Sequence, residues 1–232
     1  MPSPRKLTSK KSLSHSGGVV AAPASLFLPF LGLSLFLWFS YRSLFSFPVW
    51  FDESVGKALF FGLPVWFYIM ISGTKQIVET LAWPRFRRGL WLGLAIGGLF
   101  GFVAAILAAW QKTGQIQPAG VFMTDQFWKQ FVLALMTAFW ETLFFFSFVQ
   151  TVIQAKLKHW SWLNQALVVA GIFLVFHLPN TILRFSGVAI MQQAVLLFFF
   201  AIGQALLFTR EKNAYALILS HAIWGMVLLL HF

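Results

Sequence analysis

The chain has 232 residues, of which 59% are hydrophobic and 10% are charged, and it contains no Cys. Its mean hydropathy of +0.78 excludes a soluble globular domain and indicates a polytopic membrane protein. The absence of Cys excludes disulfides and cysteine-ligated metals. The formal net charge is +11, but the basic residues cluster in short loops between apolar stretches. Membrane orientation therefore explains this charge better than a nucleic-acid partner does.

Residues 1–18 are polar, basic and rich in Ser, which predicts a disordered cytoplasmic tail. The apolar stretch 19–41 is long enough to cross a bilayer, so we interpret it as a retained anchor and not as a cleaved signal sequence. Six more stretches satisfy the same length criterion. Residues 19–232 are therefore expected to form one all-α membrane domain, a polytopic bundle of about seven transmembrane helices, with later spans at 55–72, 89–110, 127–152, 162–184, 187–209 and 214–232.

Two of the predicted spans contain residues that affect helix geometry. Pro64 predicts a kink in the second span. The third span is rich in small residues, which permit the close approach of a neighbouring helix. They are Gly93, Gly97, Gly98 and Gly101.

The basic residues of the loops predict the orientation of the bundle. A cytoplasmic N-terminus places most of the 17 Lys and Arg residues in the tail and in the loops after the second, fourth and sixth spans. This distribution satisfies the rule that positive residues stay inside. We therefore expect an integral, multi-pass protein of the plasma membrane with a cytoplasmic N-terminus and a C-terminus on the other side.

One acid, Glu141, falls inside a predicted apolar span. A charged carboxylate at mid-bilayer is costly unless it is protonated or paired, so an intramembrane Glu predicts a functional site with a partner. His177 and His221, in the fifth and seventh spans, are the candidate partners, although counting residues leaves their relative depths open. If the three meet, they form either a general base with partners for a water molecule or a ligand set for a catalytic zinc ion.

These residues lie in three short motifs, which occur in a fixed order. Glu141 comes first, Phe173 precedes His177 by four residues, and His221 follows in the last span. This pattern resembles the Glu-Glu-x-x-x-Arg, Phe-x-x-x-His and His-x-x-x-Asn motifs of the CAAX protease and bacteriocin-processing family (CPBP, also Abi) of intramembrane proteases. The resemblance covers about residues 127–232. It implies that Glu141 activates water, that His177 assists it, and that His221 belongs to the oxyanion site.

Four positions depart from the family pattern, one of them Ser147, where Gly is common. Thr142 stands where the second Glu belongs, Phe146 where Arg belongs, and Gly225 where Asn belongs. Because the loss of one oxyanion donor typically costs about 100- to 1,000-fold in rate, reduced activity is expected. Asn180, three residues after His177, lies on the same helix face and is a candidate replacement for the missing Asn. Thr142, Phe173 and Asn180 are accordingly the candidate supporting residues.

The resemblance implies a glutamate-type intramembrane endopeptidase that acts, without metal or other cofactor, on a membrane-associated or lipid-modified peptide near the cytoplasmic side. Membrane lipid and a peptide or protein substrate are the expected partners, and nucleic acid is not. The alternative is a non-catalytic membrane protein of the same fold that acts in bacteriocin self-immunity or as a scaffold. A haem site between the two His lacks the small-residue surfaces that a porphyrin needs, and a transporter is disfavoured by the single intramembrane acid.

Overall fold

The computed structural model describes residues 26–113 and 126–231. Over these residues the chain forms helices and no strand, so the predicted all-α class is confirmed. The predicted tail and the first residues of the first predicted span lie outside the described residues. The seven long helices, labelled α1 to α7 in chain order, are Phe27–Leu44, Val49–Ser72, Phe86–Thr113, Phe127–Lys156, Trp162–Arg184, Val188–Glu211 and Ala214–His231.

Helices α1 to α6 are each long and apolar enough to cross a membrane, whereas the described apolar part of α7 is the shorter Ala214–Met226. The prediction of a polytopic helical bundle is therefore confirmed. The predicted spans for α4 to α7 agree with the helices within a few residues. The prediction for α2 is wrong at its start, because this helix begins at Val49 and not at residue 55.

Helix α2 is widened to π-helical geometry over Asp52–Gly56 and Ala58–Gly62, shortly before Pro64. Proline lacks the N–H that would close the next turn, and its ring crowds the turn before it, so wider turns accommodate it. The structure thus shows irregular turns where the sequence predicted a kink. The early start of α2 also brings two acidic side chains into the helix, Asp52 and Glu53, close to Lys57, which the predicted span already contained.

Helix α4 forms the centre of the bundle. It is α-helical over Phe127–Glu141 and π-helical over Thr142–Gln150, and all nine residues of the π-helical part are buried. The ring of Phe144 lies 5.1 Å from that of Phe176 in α5. Buried aromatic contacts of this kind fix one helix against another, so Glu141 is held rigidly at the junction of the two parts.

Helix α7 is held against α3 by glycine contacts. A Cβ added at Gly93 would lie 2.8 Å from Cβ of Leu219, and one added at Gly97 would lie 2.8 Å from Cα of Ser220. The close packing predicted from the glycines is therefore confirmed at these two positions. Helix α7 also packs on α4. Because Ser220 precedes His221, the contact with α3 fixes the position of a predicted site residue.

Candidate active site

Glu141 is 2% exposed and lies where three helices meet. Its Oε2 is 3.4 Å from Nε2 of His177 in α5 and 3.2 Å from Nε2 of His221 in α7. The three side chains that the sequence singled out therefore converge on one carboxylate oxygen. A residue count along the spans could not establish this convergence, because it depends on how the helices pack.

His177 is oriented by its own helix. Its Nδ1 is 2.8 Å from the carbonyl oxygen of Phe173, one turn earlier, and the Phe173 ring stacks on the imidazole at 4.0 Å. A carbonyl oxygen can only accept a hydrogen bond, so Nδ1 carries the hydrogen. In the neutral imidazole, Nε2 is then an acceptor, and it faces Glu141. Phe173 thus fixes both the tautomer and the direction of the ring.

His221 has a different environment. It is 7% exposed, and the Phe200 ring contacts its imidazole edge-on at 4.7 Å. Its Nδ1 is buried and has no hydrogen-bond partner among the described residues. The neighbouring Ser220 accepts a 3.0 Å hydrogen bond from the side chain of Gln204 in α6, so α7 contacts α6 at the level of His221. Neutral His221 can therefore carry its hydrogen on Nε2 and donate it to Glu141.

Two residues that sequence reasoning missed complete the site. Lys57 of α2 is 3% exposed, and its Nζ is 2.5 Å from Oε1 of Glu141. Lys57 also donates to Glu53, which accepts a 2.9 Å hydrogen bond from Thr137 and lies 3.7 Å from Arg184. Glu141 consequently has a cation at one oxygen and two imidazoles at the other.

The interpretation of Glu141 as the only acid within a span is therefore wrong. A hydropathy criterion ends a span at charged residues, so the second span was predicted to begin after Asp52 and Glu53. In the structure these charges are neutralised inside the bundle and the helix extends past them. The spacing of Glu53 and Lys57, four residues apart, was the available signal, because such a pair shares one helix face.

A second buried ion pair lies beside this one and does not touch Glu141. Asp52 is 5% exposed and accepts a 2.5 Å hydrogen bond from the hydroxyl of Tyr41. Arg42 also donates to Asp52. Tyr41 and Arg42 belong to α1, so this pair joins α1 to α2. The Arg42–Asp52 pair can therefore serve as a control for the Lys57–Glu141 pair, because it is also a buried ion pair that involves α2.

A cavity of about 330 Å³ leads to the three site residues. From α4 it is lined by Leu133, Ala134, Thr137 and Glu141, and no described residue after Glu141 in this helix lines it. The rim includes Val49 and Arg184, both exposed, at the end of the bundle where α2 begins and α5 ends. The buried π-helical part of α4 lies on the other side of Glu141.

The departures from the family pattern divide into two groups. Thr142 and Phe146 are buried and do not line the cavity, and the Thr142 hydroxyl has no hydrogen-bond partner in the described part of the chain. Gly225 and Asn180 do line the cavity. A Cβ at Gly225 would meet no atom within 4 Å, and Oδ1 of Asn180 is buried without a described partner.

The zinc alternative is not favoured by this geometry. Among the described residues no group of three or more His, Cys, Asp or Glu side chains is arranged to hold a metal ion. The ammonium of Lys57 already occupies one oxygen of Glu141, and a positive charge there would repel a second cation. The expectation of a site without metal stays a prediction.

A comparison with protein families finds a match in the second half of the chain. The family model described as Type II CAAX prenyl endopeptidase Rce1-like matches residues 123–227. No curated protein and no solved structure matches the chain. The matched region contains Glu141, His177 and His221, whereas Lys57 lies before it. The match confirms the resemblance that the motifs indicated, because residues 123–227 are similar to the Rce1-like domain of type II CAAX prenyl endopeptidases.

Proposed function

We propose that this protein is a glutamate-type intramembrane endopeptidase that hydrolyses a peptide bond in a membrane-associated or lipid-modified peptide. The observation that carries the proposal is the convergence of two imidazole Nε2 atoms on one oxygen of Glu141, at 3.4 and 3.2 Å, beside a cavity. The match to an endopeptidase family supports the reaction class. Plasma-membrane localisation with a cytoplasmic N-terminus belongs to the same proposal.

The reaction begins with a water molecule held by Glu141 and His177. Glu141 takes one proton of this water as its oxygen attacks the carbonyl carbon of the peptide bond, which is general-base catalysis. Nε2 of His177 accepts a hydrogen bond from the same water, because its hydrogen is kept on Nδ1 by the carbonyl of Phe173. The carbonyl oxygen of the substrate becomes an oxyanion as the tetrahedral intermediate forms.

The oxyanion requires hydrogen-bond donors from the cavity wall. When substrate is bound, the Nε2 hydrogen of His221, which otherwise donates to Glu141, donates to the oxyanion. The side-chain amide of Asn180 is the second donor, in place of the Asn that the family carries at position 225. The C–N bond then breaks, and the leaving nitrogen receives the proton that Glu141 took from water. Water is thus divided between the new carboxylate and the new amine, and Glu141 returns to its starting state.

Unpaired polar atoms in the cavity wall support a site for a polar ligand. Oδ1 of Asn180, Nδ1 of His221 and Nε1 of Trp224 are all buried and have no partner among the described residues. Buried polar atoms in proteins are nearly always hydrogen-bonded, so unpaired ones mark a place where a ligand or water binds. A peptide backbone supplies both the donors and the acceptors that these atoms require.

We expect Glu141→Gln to abolish cleavage while the protein remains folded and inserted. Gln preserves the shape of the side chain but cannot accept the proton, and the loss of a general base costs roughly 100- to 10,000-fold. The measurement is cleavage of a prenylated CAAX peptide by purified protein in lipid nanodiscs. His159→Gln is the control, because His159 is exposed and lies outside the cavity. Cleavage by Glu141→Gln at the wild-type rate would remove the proposal.

A non-catalytic function in bacteriocin self-immunity or as a scaffold is the second candidate. The open space at Gly225 favours it, because the cavity wall there offers no donor where the family has Asn. In that case wild-type protein binds the prenylated peptide without cleaving it, and Glu141→Gln binds it equally well. Measuring binding and cleavage on the same samples separates the two functions.

A further inference from the structure

We propose that Lys57 and Glu53 of α2 are positioning residues that keep Glu141 ionised and aimed at the cavity. This inference rests on the proposed function of Glu141 as a base. Both residues lie outside the matched region, residues 123–227. The family motif has its second Glu and its Arg in the same helix as the first Glu, whereas here an acid and a basic residue come from a different helix.

The contacts of Lys57 show how this support is built. Its side chain is 4% exposed, and its ammonium bridges Glu53 and Glu141. Thr137 of α4 donates to Glu53 at 2.9 Å, so α4 holds the far end of the bridge as well. Because Lys57 contacts only Oε1 of Glu141, Oε2 is left for the two imidazoles. The ammonium thus determines which oxygen faces the reacting water.

The charges of this group are balanced without protonated histidines. Glu53 and Glu141 supply two negative charges, and Lys57 and Arg184 supply two positive charges. An ionised carboxylate inside a membrane needs such a partner, because an unpaired one takes up a proton instead. A protonated Glu141 could not accept a proton from water. Lys57 is therefore required for the base, although it does not touch the reacting atoms.

The positions of the two missing family residues agree with this assignment. Thr142 and Phe146 point into the packed interior and do not line the cavity, and Phe146 is fully buried beside Phe173. A Glu and an Arg at these positions would be buried outside the cavity. The chain thus lacks the second Glu and the Arg of the family motif in α4, and it carries Glu53 and Lys57 in α2.

The test is infrared spectroscopy of full-length protein in nanodiscs, together with the cleavage assay. The chain has only six Asp and Glu residues, which makes the carbonyl band of a protonated carboxyl group assignable. In Lys57→Met we expect such a band to appear and to vanish when Glu141→Gln is added. Cleavage should fall about 100-fold or more, because the base is neutralised. Lys57→Arg should restore most of the activity and remove the band.

Arg42→Met is the matched control, because it also removes a buried cation that pairs with an acid of α2, namely Asp52. Any new band in this variant should be unaffected by Glu141→Gln. If Lys57→Met does not fold, Glu53→Gln combined with Lys57→Gln removes one charge of each sign and keeps the group neutral. This double variant should show the same Glu141-dependent band.

Two outcomes overturn the inference. One is a Lys57→Met protein without a Glu141-dependent band, and the other is a cleavage rate in Lys57→Met equal to that of Arg42→Met. The proposed function fails separately, when Glu141→Gln cleaves as wild type does or when wild type does not cleave. The infrared result does not depend on turnover, so it decides the role of Lys57 in each of these cases.

Discussion

The two histidines at Glu141 are not equivalent, although their Nε2 atoms lie at similar distances from it. The hydrogen bond from Nδ1 of His177 to the carbonyl oxygen of Phe173 leaves Nε2 of this imidazole as an acceptor. Nδ1 of His221 has no hydrogen-bond partner in the described part of the chain, so the hydrogen of this imidazole can reside on Nε2 and be donated. One imidazole is therefore suited to accept from water and the other to donate to an oxyanion. With one imidazole accepting and the other donating, no further ionisable side chain is required at Oε2 of Glu141.

We expect Gly225→Asn to preserve or increase cleavage. The substitution restores the family residue in the cavity wall, and the site has room because a Cβ there meets no atom within 4 Å. A well-placed oxyanion donor typically raises kcat by about 100-fold or more. The measurement is kcat with the prenylated peptide.

Gly171→Asn is the control for this variant. Its Cβ would also meet no atom within 4 Å, but the residue does not line the cavity. A fall in activity with Gly225→Asn, while Gly171→Asn leaves it unchanged, would contradict the oxyanion assignment for this part of the wall.

At the scale of helices, the sequence predicted the scaffold better than the contacts within it. The boundaries of α5 were predicted at 162–184 from its apolar length, and the helix spans Trp162–Arg184. In the structure Ser161 caps this helix and accepts a hydrogen bond from the N–H of Asn164. Helix α2 was predicted too short, because its charges are neutralised by partners in α1 and α4. Pairing between helices distant in sequence cannot be read from one chain, so Lys57 stayed unassigned.

We expect Gly97→Ala to lower both stability and cleavage. The new methyl group would lie 2.8 Å from Cα of Ser220, so α7 must move away from α3 and carry His221 with it. Overpacking of this kind typically costs about 1–3 kcal/mol. Thermal unfolding in detergent and the cleavage assay measure the two effects.

Gly98→Ala is the matched control, since a Cβ at Gly98 meets no atom within 4 Å. Alanine is favoured over glycine in helices by about 1 kcal/mol, so this variant should be at least as stable as wild type. Equal behaviour of the two alanine variants would show that α7 does not depend on close contact with α3.

For the whole molecule, the bundle has one end that carries the cavity rim and another that carries the loops after α2, α4 and α6. The rim residues Val49 and Arg184 lie at the ends of α2 and α5 that the charge distribution places outside the cytoplasm. A cytoplasmic N-terminus and a cut near the cytoplasmic side were both expected from the sequence. The position of the cavity makes these two expectations incompatible, and a topology measurement decides between them.

We expect Val49→Cys to react with a membrane-impermeant maleimide on intact cells, and Lys158→Cys to react only after permeabilisation. The chain contains no Cys, so each variant carries a single thiol, and both side chains are exposed. The charge distribution predicts opposite sides for these positions. The reverse labelling pattern would place the N-terminus outside and the cavity rim in the cytoplasm.

The buried stretch Thr142–Gln150 has a consequence for turnover. All nine residues are buried directly behind Glu141, so the lined passage ends there and does not continue through the bundle. A peptide chain cannot be threaded from one face to the other. In the proposed reaction the substrate therefore enters as a loop or as a chain end, because the cavity offers no described passage behind Glu141. For the proposed endopeptidase, a short fragment would thus leave such a closed-ended cavity more easily than a long one.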